Sequence, residues 1–390
     1  MLYDYIISGA GIIGLSTAYR ILEKFPNKKI LILEKENSFA LHQTGRNSGV
    51  IHSGIYYKPG SLKAINCREG KLELEKFCKE NKVNFEICGK VIVAVTNDEL
   101  ERLELLYQRG KQNGILCEMI SKEKLKKIEP HVNGLKAIFV NETGIVDYIG
   151  FCAKLIEKIS SSTTIKFGER VINVNSNDKE ALVETPNEVY TGLNFINCSG
   201  IYSDRIAGIT DENQMIPFRG EYYQLTKEAE HLCKNLIYPV PNPEFPFLGV
   251  HFTRMIGGGV ECGPNAVLAL GREAYNKTDW NFTDLREMIQ FKGFRKIIYK
   301  YWQTGLGELH RSISKSAFVK ALQRLIPEIE SKHLVPIDPG IRAQLVSREG
   351  SLVDDFMIIK KNREVHVVNA PSPAATSSLN IGKYIVDNFL

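Results

Sequence analysis

Apolar residues fall in short runs between polar turns, and the first runs set the frame for the chain. Tyr5, Ile6 and Ile7 form a brief apolar run, and Gly9, Gly11 and Gly14 follow it as G-x-G-x-x-G. Ala18 and Leu22 recur at helical spacing, and a second apolar run, Ile30 to Leu33, ends in Glu34. The pattern reads as strand, glycine turn, helix, strand and acid. Gly9 suits a tight turn, Gly11 lets a pyrophosphate approach the backbone, and Gly14 lets the helix lie close on the sheet. The helix start offers N–H groups to phosphates, and Glu34 can accept hydrogen bonds from ribose hydroxyls. A bound dinucleotide is expected, against the plainer reading of a glycine turn in an α/β domain. The motif alone does not separate FAD from NAD.

The pattern further along predicts a larger plan. After Glu34 comes a long loop rich in small residues, Thr44 to Tyr57, of the kind that carries function inside a compact domain. Helices are expected over Ser61 to Lys79, Asp98 to Asn113, Lys122 to Ile128 and Asp147 to Ser160. Strands are expected over Phe85 to Val95, Leu135 to Val140, Thr164 to Phe167, Val171 to Val174 and Ala181 to Thr185. The run Leu193 to Asn197 leads into Cys198-Ser199-Gly200, a second strand-to-glycine turn, with Asp204 where a helix would begin. Arg219 to Leu225, Phe247 to Thr253 and Ala266 to Leu270 read as strands of a mainly antiparallel sheet, and Phe282 to Trp302 and Ser314 to Leu325 as helices. The end repeats the opening: strand Val365 to Asn369, small-residue turn Ala370 to Ser378, helix Leu379 to Phe389. The fold class is therefore α/β (α+β overall), with a Rossmann-like nucleotide domain and a second, mixed-sheet substrate domain. The expected nucleotide segments are 1–80, 145–210 and 335–390, and the inserted substrate segments are 81–144 and 211–334.

Composition narrows the class only modestly. The 390 residues suffice for two domains, and 43% hydrophobic and 24% charged residues are usual for a globular protein. The net charge of +5 is mild, and no basic arm or nucleic-acid motif accompanies it. Eight cysteines are scattered without C-x-x-C pairs, which argues against a zinc or iron–sulfur site and for reduced thiols. The first strand starts near residue 5 and no apolar run reaches membrane-spanning length, so a cytoplasmic location is expected. Phe291 to Trp302 interleaves Lys292, Arg295, Lys296 and Lys300 with aromatic residues. Such a segment can lie on an anionic membrane surface, peripheral on the inner face of the cell membrane; a packed helix with a solvated basic face is the preferred reading.

Several stretches together resemble the glycine oxidase and D-amino-acid oxidase superfamily of FAD-dependent oxidoreductases, and within it the L-2-hydroxyglutarate oxidase/dehydrogenase family. They are TGRNSGVIHSGIYYKPGSLKA (44–64), NCSGIYSDRIA (197–207), PFRGEYYQL (217–225), FLGVHFTR (247–254), the stretch 301–329, and NAPSPAATSSLNIG (369–382). The resemblance covers nearly the whole chain. It implies FAD, held first by Gly9, Gly11, Ile12, Ile13 and Gly14 with Glu34 and Lys35. Thr44, Arg46, Asn47, Ser48 and Gly49 would follow from the long loop, with Val171, Ser199 and Gly200 from the middle of the chain. Pro373, Ala374, Ala375 and Thr376 would close the set near the flavin ring. It further implies oxidation of L-2-hydroxyglutarate to 2-oxoglutarate by hydride transfer to flavin, with quinone or oxygen as electron acceptor. An amine or amino-acid oxidase on the same fold is the alternative, and a flavin-binding module without turnover a distant third.

Oxidising a 2-hydroxy acid needs a base for the hydroxyl proton, a hydride acceptor, and cations that hold the carboxylates. Histidine titrates near working pH. His52, in the long loop, is the first candidate base; holding the loop, or carrying the flavin covalently, are its other readings. His251, mid-strand beside Gly249, is the second candidate, against a satisfied sheet histidine. His42, His131, His231, His333 and His366 read as surface groups. Arg219, Arg254 and Arg342 are candidate carboxylate clamps because a planar fork matches a carboxylate; a surface ion-pair partner is the commoner role of each. Tyr57 and Tyr222 could add hydroxyl donors, although core packing is the commoner role.

Overall fold

The computed structural model describes residues 2–242 and 249–390. Five parallel strands form the spine of an eight-stranded sheet, in the spatial order Glu364–Asn369, Val189–Asn197, Leu2–Ser8, Ile30–Glu34 and Thr163–Phe167. Ile7 sits opposite Ile196 on one side and Ile32 on the other. Strands buried on both faces are continuous apolar runs of this kind. Helices Ile12–Lys24, Tyr148–Ile159 and Ser378–Phe389 cover the sheet, and Leu15, Ala18, Phe151, Leu155 and Ile385 join its core. Gly14 allows this packing: a Cβ there would lie 2.1 Å from the Gly9 carbonyl oxygen.

A nine-stranded sheet of mixed direction forms the second layer. Its longest pair is Asn213–Leu225 against Leu334–Ser347, antiparallel, with Arg219 opposite Ile341. Lys90–Ala94 runs parallel to Leu236–Pro239 and antiparallel to Lys136–Val140. A three-stranded sheet, Val50–Ile51, Gly144–Val146 and Phe85–Glu86, bridges the long loop to the rest.

The sequence pattern misses in identifiable places. The expected strand Phe85 to Val95 is two strands in two sheets, broken around Gly89, whose φ of +80° turns the chain. The expected helix Phe282 to Trp302 is two, Phe282–Gln290 and Lys292–Ile313, because Phe291 adopts an extended ψ of 122°. The strand expected at Val171 to Val174 runs Asn173–Ser176. The expected strand Phe247 to Thr253 begins outside the described residues, and its described part is His251–Arg254. The strand Leu334–Ser347 was not anticipated, since Pro336, Pro339 and Gly340 hide its alternation.

Candidate functional site

A cavity of about 770 Å³ opens where the two large sheets meet. One wall is the carboxyl edge of the parallel sheet, from Ser8 and Gly9, Leu33 and Glu34, Cys198 and Ser199, and Val367 and Val368. Ligands of open α/β sheets bind at this edge. The opposite wall comes from the mixed sheet, with Phe218, Tyr222, Tyr238, His251 and Arg342.

The glycine-turn end is built for a pyrophosphate and a ribose. Gly11 is the N-cap of the first helix and has no side chain to close its first turn. A Cβ on Gly11 would meet only the Thr44 hydroxyl, at 3.3 Å, so the space in front of the turn is open. Thr44 Oγ1 accepts the Ile12 N–H at 3.1 Å and ties the long loop to the helix start. The Glu34 carboxylate accepts the Ala10 N–H at 2.8 Å and the Glu36 N–H at 3.0 Å. It lines the cavity, and carboxylate oxygens can accept further hydrogen bonds. Ser8 and Ser199 hydroxyls, 2.6 Å apart, join the two strand-to-glycine turns. The residues present therefore fit a dinucleotide.

Most of the residues expected at the cofactor face the cavity: Gly9, Gly11, Ile12, Ile13, Glu34 and Lys35 at the turn, and Thr44, Arg46, Asn47 and Ser48 in the loop. Val171, Ser199, Gly200, Pro373, Ala374 and Ala375 also line it. Three do not. Gly14 is a helix-to-sheet contact, and Gly49, at φ +63°, turns the loop. Thr376 is buried beneath the wall, where its hydroxyl accepts the His52 N–H at 3.1 Å and also meets Tyr148 OH.

At the other end, His52 and His251 both line the cavity. His52 is fixed through its backbone by Thr376, through its carbonyl by the Cys67 thiol, and through Nε2 by the Ser372 hydroxyl at 3.3 Å. His251 places Nδ1 2.9 Å from the Gly249 carbonyl, so Nδ1 carries the proton and Nε2 is left as the basic nitrogen. Its ring lies 4.1 Å from that of Tyr238. Burial, then the nearby Lys90 ammonium, pulls the His52 imidazole down to about 3. Burial likewise brings His251 to about 4, against the raising effect of the Gly249 carbonyl. Both rings are neutral at physiological pH, as a general base must be.

The arginine candidates separate cleanly. Arg342 lines the cavity beside Tyr222, and burial lowers its pKa. Arg219 does not reach the cavity: its guanidinium is spent on Glu221 and on the Asn276 carbonyl at 3.0 Å. Arg254 pairs with Glu86 outside the cavity, because three residues of alternation turn it to the opposite face from His251. Tyr222 lines the wall, whereas Tyr57 lies behind it, near Ser372 and Arg342. Two histidines expected at the surface are not there. His42 lines the cavity between Tyr275 and Glu36, and His366 is buried beside Asn197. Sequence reasoning also missed Lys90, Tyr238 and Ser372; a lysine opening the apolar run Lys90–Ala94 was the available signal.

The sequence profile of the DAO family, FAD dependent oxidoreductase, matches residues 4–388. The chain is 50% identical over 386 residues to an L-2-hydroxyglutarate dehydrogenase of Indibacter alkaliphilus, covering 97% of each chain. It is 42% identical to the protein of that name from Escherichia coli K12, over 99% of this chain and 92% of that one. Its fold matches that of L-alpha-glycerophosphate oxidase from Mycoplasma pneumoniae with FAD bound, at a TM-score of 0.80 and 24% identity, covering 100% and 96% of the two chains. Glycine oxidase from Geobacillus kaustophilus matches at a TM-score of 0.71 and 13% identity, covering 99% and 94%. The cofactor that the glycine turn and Glu34 are shaped for is thus FAD, and the chain belongs to the FAD dependent oxidoreductase family, among relatives named L-2-hydroxyglutarate dehydrogenase.

Proposed function

We propose that this protein oxidises L-2-hydroxyglutarate to 2-oxoglutarate. The observation that carries the reading is the convergence of two neutral histidines and Arg342 at one end of a cavity whose other end is shaped for a dinucleotide. FAD supplies the acceptor for the α-hydride. His52 takes the hydroxyl proton, with His251 as the second candidate for that role. Arg342 holds a carboxylate, with the Tyr222 hydroxyl beside it, and so aims Cα–H at the acceptor. Residues 1–80, 145–210 and 348–390 form the cofactor unit and the intervening segments the substrate unit; the strand Leu334–Ser347 goes with the latter, since it pairs with Asn213–Leu225. The clamp is tested by Arg342→Met with a soluble dye acceptor. The variant should raise KM for L-2-hydroxyglutarate by about tenfold or more, and shrink the preference over L-lactate where the carboxylate held is the distal one that L-lactate lacks. Unchanged KM and preference would remove Arg342 from the site.

The protein works at the periphery of an anionic membrane and passes electrons to quinone there. The support is the helix Lys292–Ile313. Beyond Tyr301, which has non-helical angles, its apolar residues Trp302, Leu306, Leu309 and Ile313 follow helical spacing yet are 54%, 57%, 43% and 75% exposed. Trp280, Phe282 and Ile289 are exposed just before it, and Lys292, Arg295, Lys296 and Lys300 supply positive charge. Exposed apolar residues at helical spacing, following lysines and an arginine in the same helix, fit an anionic bilayer better than water. Among the described residues no helix is long and apolar enough to cross a membrane.

A further inference from the structure

Lys90 opens the strand Lys90–Ala94 and is 1% exposed. Its ammonium lies 4.6 Å from the centre of the Tyr56 ring and 4.8 Å from that of Tyr238. The Tyr238 ring in turn lies against His251. Among the described residues no carboxylate pairs with Lys90; the other group that acts on it is the Cys67 thiol, itself pushed up to about 12 by burial and so neutral. A buried cation without a carboxylate carries an uncompensated desolvation cost. Two aromatic faces offset part of it. A methionine would fill the same space without that cost, so packing alone does not account for the charge.

We propose that Lys90 is a positioning residue for the base: its ammonium, caged between Tyr56 and Tyr238 behind the cavity wall, adds to burial in holding His52 and His251 in the neutral form that accepts a proton. The proposal rests on the reading of His52 as base. The groups at His52 are Lys90 from the mixed sheet, Lys63 and the Cys67 thiol from the helix Leu62–Asn81, His251, and the Ser372 hydroxyl from the C-terminal turn. Of the charged ones, the Lys90 ammonium acts most strongly, and it acts on His251 as well. The sign follows. A cation beside an imidazole disfavours the imidazolium, so removing it raises the histidine pKa. Burial brings Lys90 itself to about 7. It is therefore charged below neutrality, the range in which the histidines would otherwise take up protons and the dianionic substrate would draw protons into the site.

The test compares flavin-loaded wild type with Lys90→Met and Lys90→Gln. The readout is the second-order rate of anaerobic flavin reduction by L-2-hydroxyglutarate, which reports free-enzyme pKa values. It is measured from about pH 2.5 to 9, reached by rapid mixing from neutral buffer, so that limbs near 3 and 4 both fall inside the range. In either neutral variant the acid limb should move up by about one pH unit or more, while the rates at high pH converge on wild type. A purely structural lysine would change the plateau or the flavin content and leave the limb in place. An unmoved limb in a flavin-loaded variant overturns the proposal, and so does failure of both variants to load flavin. His52→Ala, run alongside, separates the two ideas. A large rate loss in His52→Ala with an unmoved limb in Lys90→Met sinks only the role of Lys90. A near-normal rate in His52→Ala sinks the assignment of the base.

Discussion

At the scale of single residues, the site depends on groups kept neutral by burial. His52→Ala should lower kcat by about 10²-fold or more with a dye acceptor, as loss of a general base does. Retention of FAD in that variant shows that the loss is one of chemistry; departure of FAD would make His52 a cofactor residue. Stability should carry the same signature. The folded pKa values of His52 and His251, about 3 and about 4, lie below the unfolded value near 6.5. The unfolded chain thus binds protons that the folded one does not, and stability falls as pH drops from about 6.5 towards 4. Melting temperatures across that range should decline in wild type and decline less steeply in His251→Gln; parallel slopes would show that His251 is not buried neutral. The places of Gly9, Gly11 and His52 beside the cavity were legible from loop and turn context, whereas those of His42 and His366, read as surface groups, were not. The arginines were not: Arg219 is held by Glu221 and Arg254 by Glu86, pairings that appear only in the folded chain.

At the scale of elements, glycines set how closely segments meet around the cofactor. Gly11→Val puts a branched side chain into the open space before the first helix and should yield colourless protein; full flavin content would contradict the assignment. Gly70 sits where the helix Leu62–Asn81 touches the C-terminal turn, and a Cβ there would come within 2.6 Å of Ser377 Cα. Because that turn carries Thr376 and the cavity-lining residues before it, Gly70→Ala should both lower the melting temperature and weaken FAD retention. Normal FAD affinity would mean that the turn adjusts independently of the helix. The parallel spine was readable because its inner strands Leu2–Ser8, Ile30–Glu34 and Glu364–Asn369 are short, largely buried, and lead into a turn or end in an acid. The mixed sheet was harder. Its partners are distant in sequence, its strands Leu236–Pro239 and Val260–Gly263 are short, and Gly89 breaks one apolar run into strands of two sheets.

At the scale of the whole molecule, the cofactor edge of the parallel sheet and the Arg342-bearing wall of the mixed sheet are separate layers that make one cavity, and the proposed docking surface is the apolar, basic helix Lys292–Ile313. Replacing Lys292, Arg295, Lys296 and Lys300 with Gln should lower binding to anionic vesicles at low salt without lowering activity with a soluble dye. Absence of vesicle binding by wild type would reduce this face to a solvated helix. The central claim is that the cavity oxidises an L-2-hydroxy dicarboxylate, and anaerobic mixing of the yellow protein with single substrates tests it most directly. L-2-hydroxyglutarate should bleach the flavin absorbance within the dead time or over seconds, with the D-enantiomer, L-lactate, glycine, sarcosine and D-alanine far slower. Bleaching by glycine, sarcosine or D-alanine in preference to L-2-hydroxyglutarate would make the protein an amine oxidase on this fold and contradict the account.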